Sequence, residues 1–131
     1  MKKLLLISAL LFSFNASAKE LIHPLDFKGT EQEKEAVISF IKADVYKTYC
    51  EDDLFGVCTE AMVRQQEELF LEGFKKLTKA QDRAVLDKVM KMYCDNDHEI
   101  FYQTMVLFCN YALLSEVYEQ ELNATNSELT W

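Results

Sequence analysis

The chain is expected to be all-α, a small four-helix bundle built from two antiparallel helical hairpins, each stapled by a disulfide. Three observations predict this. Apolar residues recur at three-to-four spacing in long stretches with no competing period-two pattern. Capping signals stand where those stretches begin. Finally, an even number of cysteines in a chain read as exported defaults to two disulfides: Cys50 and Cys58 flank the loop between the first two stretches, Cys94 ends the third, and Cys109 lies within the fourth.

Residues 1–18 have the grammar of a cleaved export signal. Lys2 and Lys3 form a basic head, Leu4 to Phe14 an apolar run, and Ala16-Ser17-Ala18 a small-x-small cleavage site. No later stretch reaches the roughly 18 uncharged apolar residues that a membrane-spanning helix needs. The mature product is expected to be exported, periplasmic or secreted, with no membrane span. It would comprise residues 19–131, about the usual size of one domain.

The chain carries 14 basic and 22 acidic groups, and loss of Lys2 and Lys3 with the leader brings the mature charge near −10. Such a surface repels polyphosphates and anionic lipid headgroups, so nucleic acid is not an expected partner. Charge is also uneven. Lys75, Lys76, Lys79, Arg83, Lys88 and Lys91 make a basic band, whereas Met92 to Trp131 contains acids but no Lys or Arg. Solvated helix faces that compensate one another account for this pattern, and so does an acidic face that docks a basic partner.

Residues 19–29, with Pro24 and Gly29, read as an irregular lead-in. Thr30-x-x-Glu33 then fits a capping box, in which hydroxyl and carboxylate each satisfy a backbone amide of the first turn. Val37, Ile38, Ile41, Val45 and Tyr49 share one face of the first helix. A loop between Cys50 and Cys58 leads to Thr59, a cap for a second helix with Met62, Val63, Gln66, Leu69, Phe70, Gly73, Phe74 and Leu77 on its face. Thr78-x-x-Gln81 repeats the capping signal and is expected to start a third helix through Val85, Leu86, Val89 and Tyr93, antiparallel to the second across a tight turn. The fourth helical stretch is expected from about Glu99 to Leu122, and residues 123–131 form a polar tail.

Residues 30–122 thus form one helical domain, and its halves, 30–77 and 78–122, resemble each other. Lys47-Thr48-Tyr49-Cys50-Glu51-Asp52-Asp53 matches Lys91-Met92-Tyr93-Cys94-Asp95-Asn96-Asp97, and Cys58-x-x-Ala61-Met62-Val63 matches Cys109-x-x-Ala112-Leu113-Leu114. The alternative is chance likeness between amphipathic helices. In an exported chain four cysteines default to two disulfides, and the spacings of seven and fourteen intervening residues lack the close knuckle of structural zinc. Three connectivities are open, and a repeat selects Cys50 with Cys58 and Cys94 with Cys109. For the second bond, Cys109 must not lie about 15 Å down a straight helix begun at Glu99, so His98 to Phe108 is expected to bend or form a separate short helix.

Little in the sequence carries chemistry. Two histidines, His23 and His98, have no local nucleophile motif beside them, so the chain is not expected to be an enzyme, with no catalytic residue and no cofactor. Asp95-Asn96-Asp97-His98-Glu99 begins like a calcium loop, but Ile100 and Val106 stand where glycine and glutamate are required. No metal centre is assigned; Asp52, Asp53, Asp95 and Asp97 are weak candidates at one end of the bundle. Met105 to Leu114 is apolar nearly all round, which suits either a central core helix or a seam in which Phe101, Tyr102 and Tyr111 form an interaction surface. The function is not written in any motif. The best reading is a non-enzymatic protein-binding module whose partner is another protein, an inhibitor or immunity-type protein being one version; a homodimer also fits. A carrier of a small hydrophobic ligand is the alternative, and an uncharacterised enzyme the second.

Overall fold

The structure is a computed structural model and describes residues 21–52, 56–95 and 109–131. The expected leader, 1–18, lies outside the described residues. Among them the chain is all-helical: α1 spans Glu31–Tyr46, α2 Glu60–Leu77, α3 Arg83–Cys94 and α4 Tyr111–Thr125. Cys50 bonds Cys58 and Cys94 bonds Cys109, with Cα atoms 4.9 and 5.0 Å apart. Each bond ties the end of one helix to the start of the next, so α1 with α2 and α3 with α4 are two stapled hairpins.

Each helix starts on a side-chain cap. The Glu33 amide donates to Thr30 Oγ1 at 3.2 Å, while the Glu33 carboxylate accepts from the Lys28 amide at 2.9 Å. Thr59 accepts from the Met62 amide and begins α2 one residue after Cys58. Asn110 accepts from the Leu113 amide at 2.8 Å and begins α4 one residue after Cys109. Helix α4 therefore starts at Tyr111, not near Glu99, and Cys109 sits outside it, free to meet Cys94. The segment His98 to Phe108 lies outside the described residues. Helix α3 also starts later than its sequence signal. Thr78 closes α2, its hydroxyl donating to the Lys75 carbonyl at 2.6 Å, and Asp82 caps α3 by accepting from the Val85 amide. An aspartate acceptor is at least as good a cap as threonine, and the residues between are used for the turn. Asn110→Ala is expected to cost about 1 kcal/mol by leaving the first turn of α4 uncapped, measured as a lowered urea midpoint at unchanged m-value.

The end of α1 widens into a π-turn over Lys47–Glu51, closed by the Asp52 amide donating to the Lys47 carbonyl at 2.8 Å. That turn carries Cys50 toward Cys58. Between them Gly56 has φ +63, a left-handed backbone that other residues adopt at a cost.

The core takes Val37, Ile41 and Val45 from α1, Phe70, Phe74 and Leu77 from α2, Leu86 and Val89 from α3, and Tyr111, Leu114 and Tyr118 from α4. Ile38 and Leu69, expected on the inner faces, are 41 and 43 % exposed. The hairpins meet chiefly where α2 packs on α4. Gly73 makes that possible, because a Cβ there would lie 2.4 Å from the Tyr111 carbonyl oxygen and 2.7 Å from the Ala112 Cα. Leu77 and Ala80 lie farther along beside Tyr118 and Leu122, so α2 and α4 run in the same direction.

The lead-in is strapped to this core. Pro24–Asp26 forms a short 3-10 turn with Pro24 buried, and Phe27 stands edge-on to Phe74, ring centroids 5.1 Å apart. Asp26 accepts two hydrogen bonds from the Arg83 guanidinium, at 2.9 and 3.2 Å, which hold its carboxyl below the ordinary carboxylate range. His23 Nδ1 accepts from the Leu25 amide while Nε2 meets Asp87 at 2.6 Å, an arrangement that suits the tautomer with its hydrogen on Nε2.

Tyr111 is the hub of the molecule, and this corrects its assignment to an interaction surface. Its side chain is fully buried, with ring centroids 4.9 Å from Phe74 and 5.8 Å from Phe40, and its hydroxyl donates to the Ile22 carbonyl at 2.8 Å. One phenol thereby joins α1, α2, α4 and the lead-in. Phe101 and Tyr102, the other members of that surface, lie outside the described residues.

Burial pushes the Tyr111 phenol far above its ordinary pKa. Above about pH 10 the unfolded chain releases this proton while the folded chain keeps it, so the folded state binds more protons and stability falls as pH rises. Urea unfolding at pH 9 and at pH 11 is expected to show the loss. Tyr111→Phe is expected to reduce it, and to lower stability by about 1 kcal/mol at neutral pH through the missing hydrogen bond.

Candidate functional site: a groove between α2 and α4

Because α2 and α4 lie side by side in the same direction, their outer faces bound a groove. It consists of two clefts, of about 360 and 400 Å³, that share Lys76 and Ser115. The upstream cleft is floored by Phe70, Gly73, Ala112 and Leu113, with Leu69 and Tyr49 at its edge. The downstream cleft is floored by Leu77, Ala80, Tyr118 and Leu122. From Asn110 to Asn123 the groove follows α4 for about 20 Å at 1.5 Å per residue.

The local sequence accounts for its shape. Gly73 draws the helices together on the core side, while Ala112, Ser115 and Ala80 are small, so the seam stays hollow on the solvent side. The Tyr49 hydroxyl donates to Gln66 at 3.2 Å and closes the upstream end. At the downstream end the Asp82 amide donates to the Tyr118 hydroxyl at 3.2 Å, fixing that ring in the floor. The two walls differ in charge: one carries Glu72 and Lys76 on α2 and Lys79 in the turn that follows it, and the other Glu116 and Glu119 on α4.

Among the described residues the basic band is only partly compensated. Lys88 reaches Glu121 on α4 at 2.9 Å, and Arg83 binds Asp26. Neither Lys76 nor Lys79 is in an ion pair among the described residues.

The acidic loop residues do not form a site there. Asp52 is exposed and Asp95 partly buried, while Asp53 and Asp97 lie outside the described residues. Among the described residues no three His, Cys, Asp or Glu side chains stand together as metal ligands. His23 is engaged with Leu25 and Asp87, and His98 lies outside the described residues. All four cysteines are in disulfides, which excludes a thiolate nucleophile in this state. No described helix is long and apolar enough to cross a membrane.

The sequence reading missed the groove. Its residues come from positions some forty apart, and the local hints were small residues alone: Gly73 on the α2 face, Ala80 in the turn after it, and Ala112 and Ser115 on α4. Comparison with protein-family models, with curated proteins and with solved structures returned no match.

Proposed function

We propose that this is an exported, non-enzymatic binding protein that seats another polypeptide in the groove between α2 and α4. The groove itself carries the reading: it joins an apolar floor to charged rim residues, unpaired among the described residues, along about four turns of helix, a length that suits a peptide or helix ridge. Export is supported by the leader-like first eighteen residues and by two disulfides, which belong to oxidising compartments. An inhibitor or immunity-type role would require the partner to be an envelope-acting enzyme.

Affinity capture from envelope extract tests the reading, with the oxidised mature protein compared against Leu69→Glu. Leu69 sits at the groove edge and is 43 % exposed, so glutamate is expected to leave the melting temperature nearly unchanged. A polypeptide retained by the wild type and lost with the variant supports the reading, whereas equal recovery contradicts it. The cleft volumes also fall in the range of small-ligand sites. For the rival reading, a hydrophobic carrier, solvent extraction and mass spectrometry of the purified protein should reveal a bound apolar molecule.

A further inference from the structure

The groove's charges are arranged for a particular occupant, and we infer that the polypeptide seated there is a second copy of this chain, related by a two-fold axis running along the groove. This rests on the reading of the groove as a polypeptide-binding site. Lys76 and Glu116 line the upstream cleft together; Lys79 and Glu119 line the downstream cleft, which Lys76 also borders. With Gly73 against Tyr111 and Ala112 and the helices running the same way, Lys76 comes within a turn of the level of Glu116, and Lys79, just past the end of α2, within a turn of the level of Glu119. All four side chains are exposed, and none is in an ion pair among the described residues.

A two-fold axis along the groove turns a second copy face to face with the first without changing level. It sets the α2 wall of one copy against the α4 wall of the other. Lys76 then meets the second copy's Glu116 and Lys79 its Glu119, and symmetry forms each pair twice, as an isologous contact requires. Glu72, farther upstream on α2, meets the uncharged stretch from Asn110 to Leu113. The same rotation covers the Leu69 edge and the apolar floor on both copies.

A partner of uniform charge fares worse, attracted by one wall and repelled by the other. Opposite signs on parallel walls at matched levels are what a self-complementary surface presents.

Sedimentation analysis of the oxidised protein over a range of concentrations tests this, using two wall-reversal variants. Lys76→Glu with Lys79→Glu makes both walls acidic, and Glu116→Lys with Glu119→Lys makes both basic. The wild type is expected to be a dimer that weakens with added salt, and each variant to dimerise about tenfold or more less tightly. Mixed together, the two variants should pair with each other, because each acidic wall then faces a basic one. A single chain with all four changes should regain the homodimer.

Melting curves for each variant keep loss of folding apart from loss of pairing. A wild type that stays monomeric, or variants that remain monomeric when mixed, would overturn the inference. If the wild type is monomeric while Leu69→Glu still abolishes capture of a different protein, the second copy is wrong and the groove reading survives. If neither self-association nor capture responds to groove changes, both fall.

Discussion

Gly73→Ala is expected to destabilise the protein by about 2 kcal/mol or more, although alanine is the better helix former. Alanine in place of glycine within a helix gains up to about 1 kcal/mol from backbone propensity. Against that, the new methyl would lie 2.4 Å from the Tyr111 carbonyl oxygen, 2.6 Å from its carbon and 2.7 Å from the Ala112 Cα. These are backbone atoms of the first turn of α4, and no rotamer change moves them aside. Relief requires α2 and α4 to separate, which loosens the edge contact between Phe74 and Tyr111 and opens the core where the hairpins meet. Overpacking of this kind typically costs about 1 to 3 kcal/mol and occasionally more, so it outweighs the propensity gain. The melting temperature should fall by about 10 °C. A rise would mean that the helices do not approach so closely at Gly73.

Loss of either disulfide is the second large effect, and the two should differ. Cys94–Cys109 closes a separation of fifteen residues and Cys50–Cys58 one of eight. Chain entropy then assigns about 3 kcal/mol to the former and about 2.5 kcal/mol to the latter, both large against the total stability of a domain this size. Cys94→Ser with Cys109→Ser is therefore expected to lower the urea midpoint more than Cys50→Ser with Cys58→Ser. Reduction with dithiothreitol should lower it further than either pair. Equal midpoints for oxidised and reduced protein would show that the bonds do not constrain the chain.

Much of the architecture was legible because it depends on local chemistry. Thr30 and Thr59 each present an oxygen three residues before an amide that needs one, and both cap the helices they precede. Helical periodicity placed Val37, Ile41, Phe70, Phe74, Leu86 and Val89 inside. Local signals failed where two of them competed, as with Thr78 and Asp82, and where apolar character ran all round a helix. Tyr111 belongs to such a run, and an aromatic residue there suits an interface as well as a core. Only the tertiary fold supplies the Ile22 carbonyl that satisfies it inside. The strapping of the lead-in by Asp26, Arg83, His23 and Asp87 joins positions about sixty apart and has no periodicity to betray it. The groove was hidden for the same reason, since it follows from the relative direction of α2 and α4.

Disulfide mapping tests the central claim, that each hairpin is closed by its own bond. The sequence makes the experiment clean, because there is no Lys or Arg between Cys50 and Cys58, nor anywhere after Lys91. Trypsin cleavage of the unreduced, thiol-blocked protein after Lys47, Arg64 and Lys91 should give two peptides, Thr48 to Arg64 and Met92 to Trp131. Each is expected to carry an internal bond, two hydrogen masses below its reduced form. A species joining the two peptides, or alkylated cysteines in either, would contradict the two stapled hairpins from which the core and the groove are built.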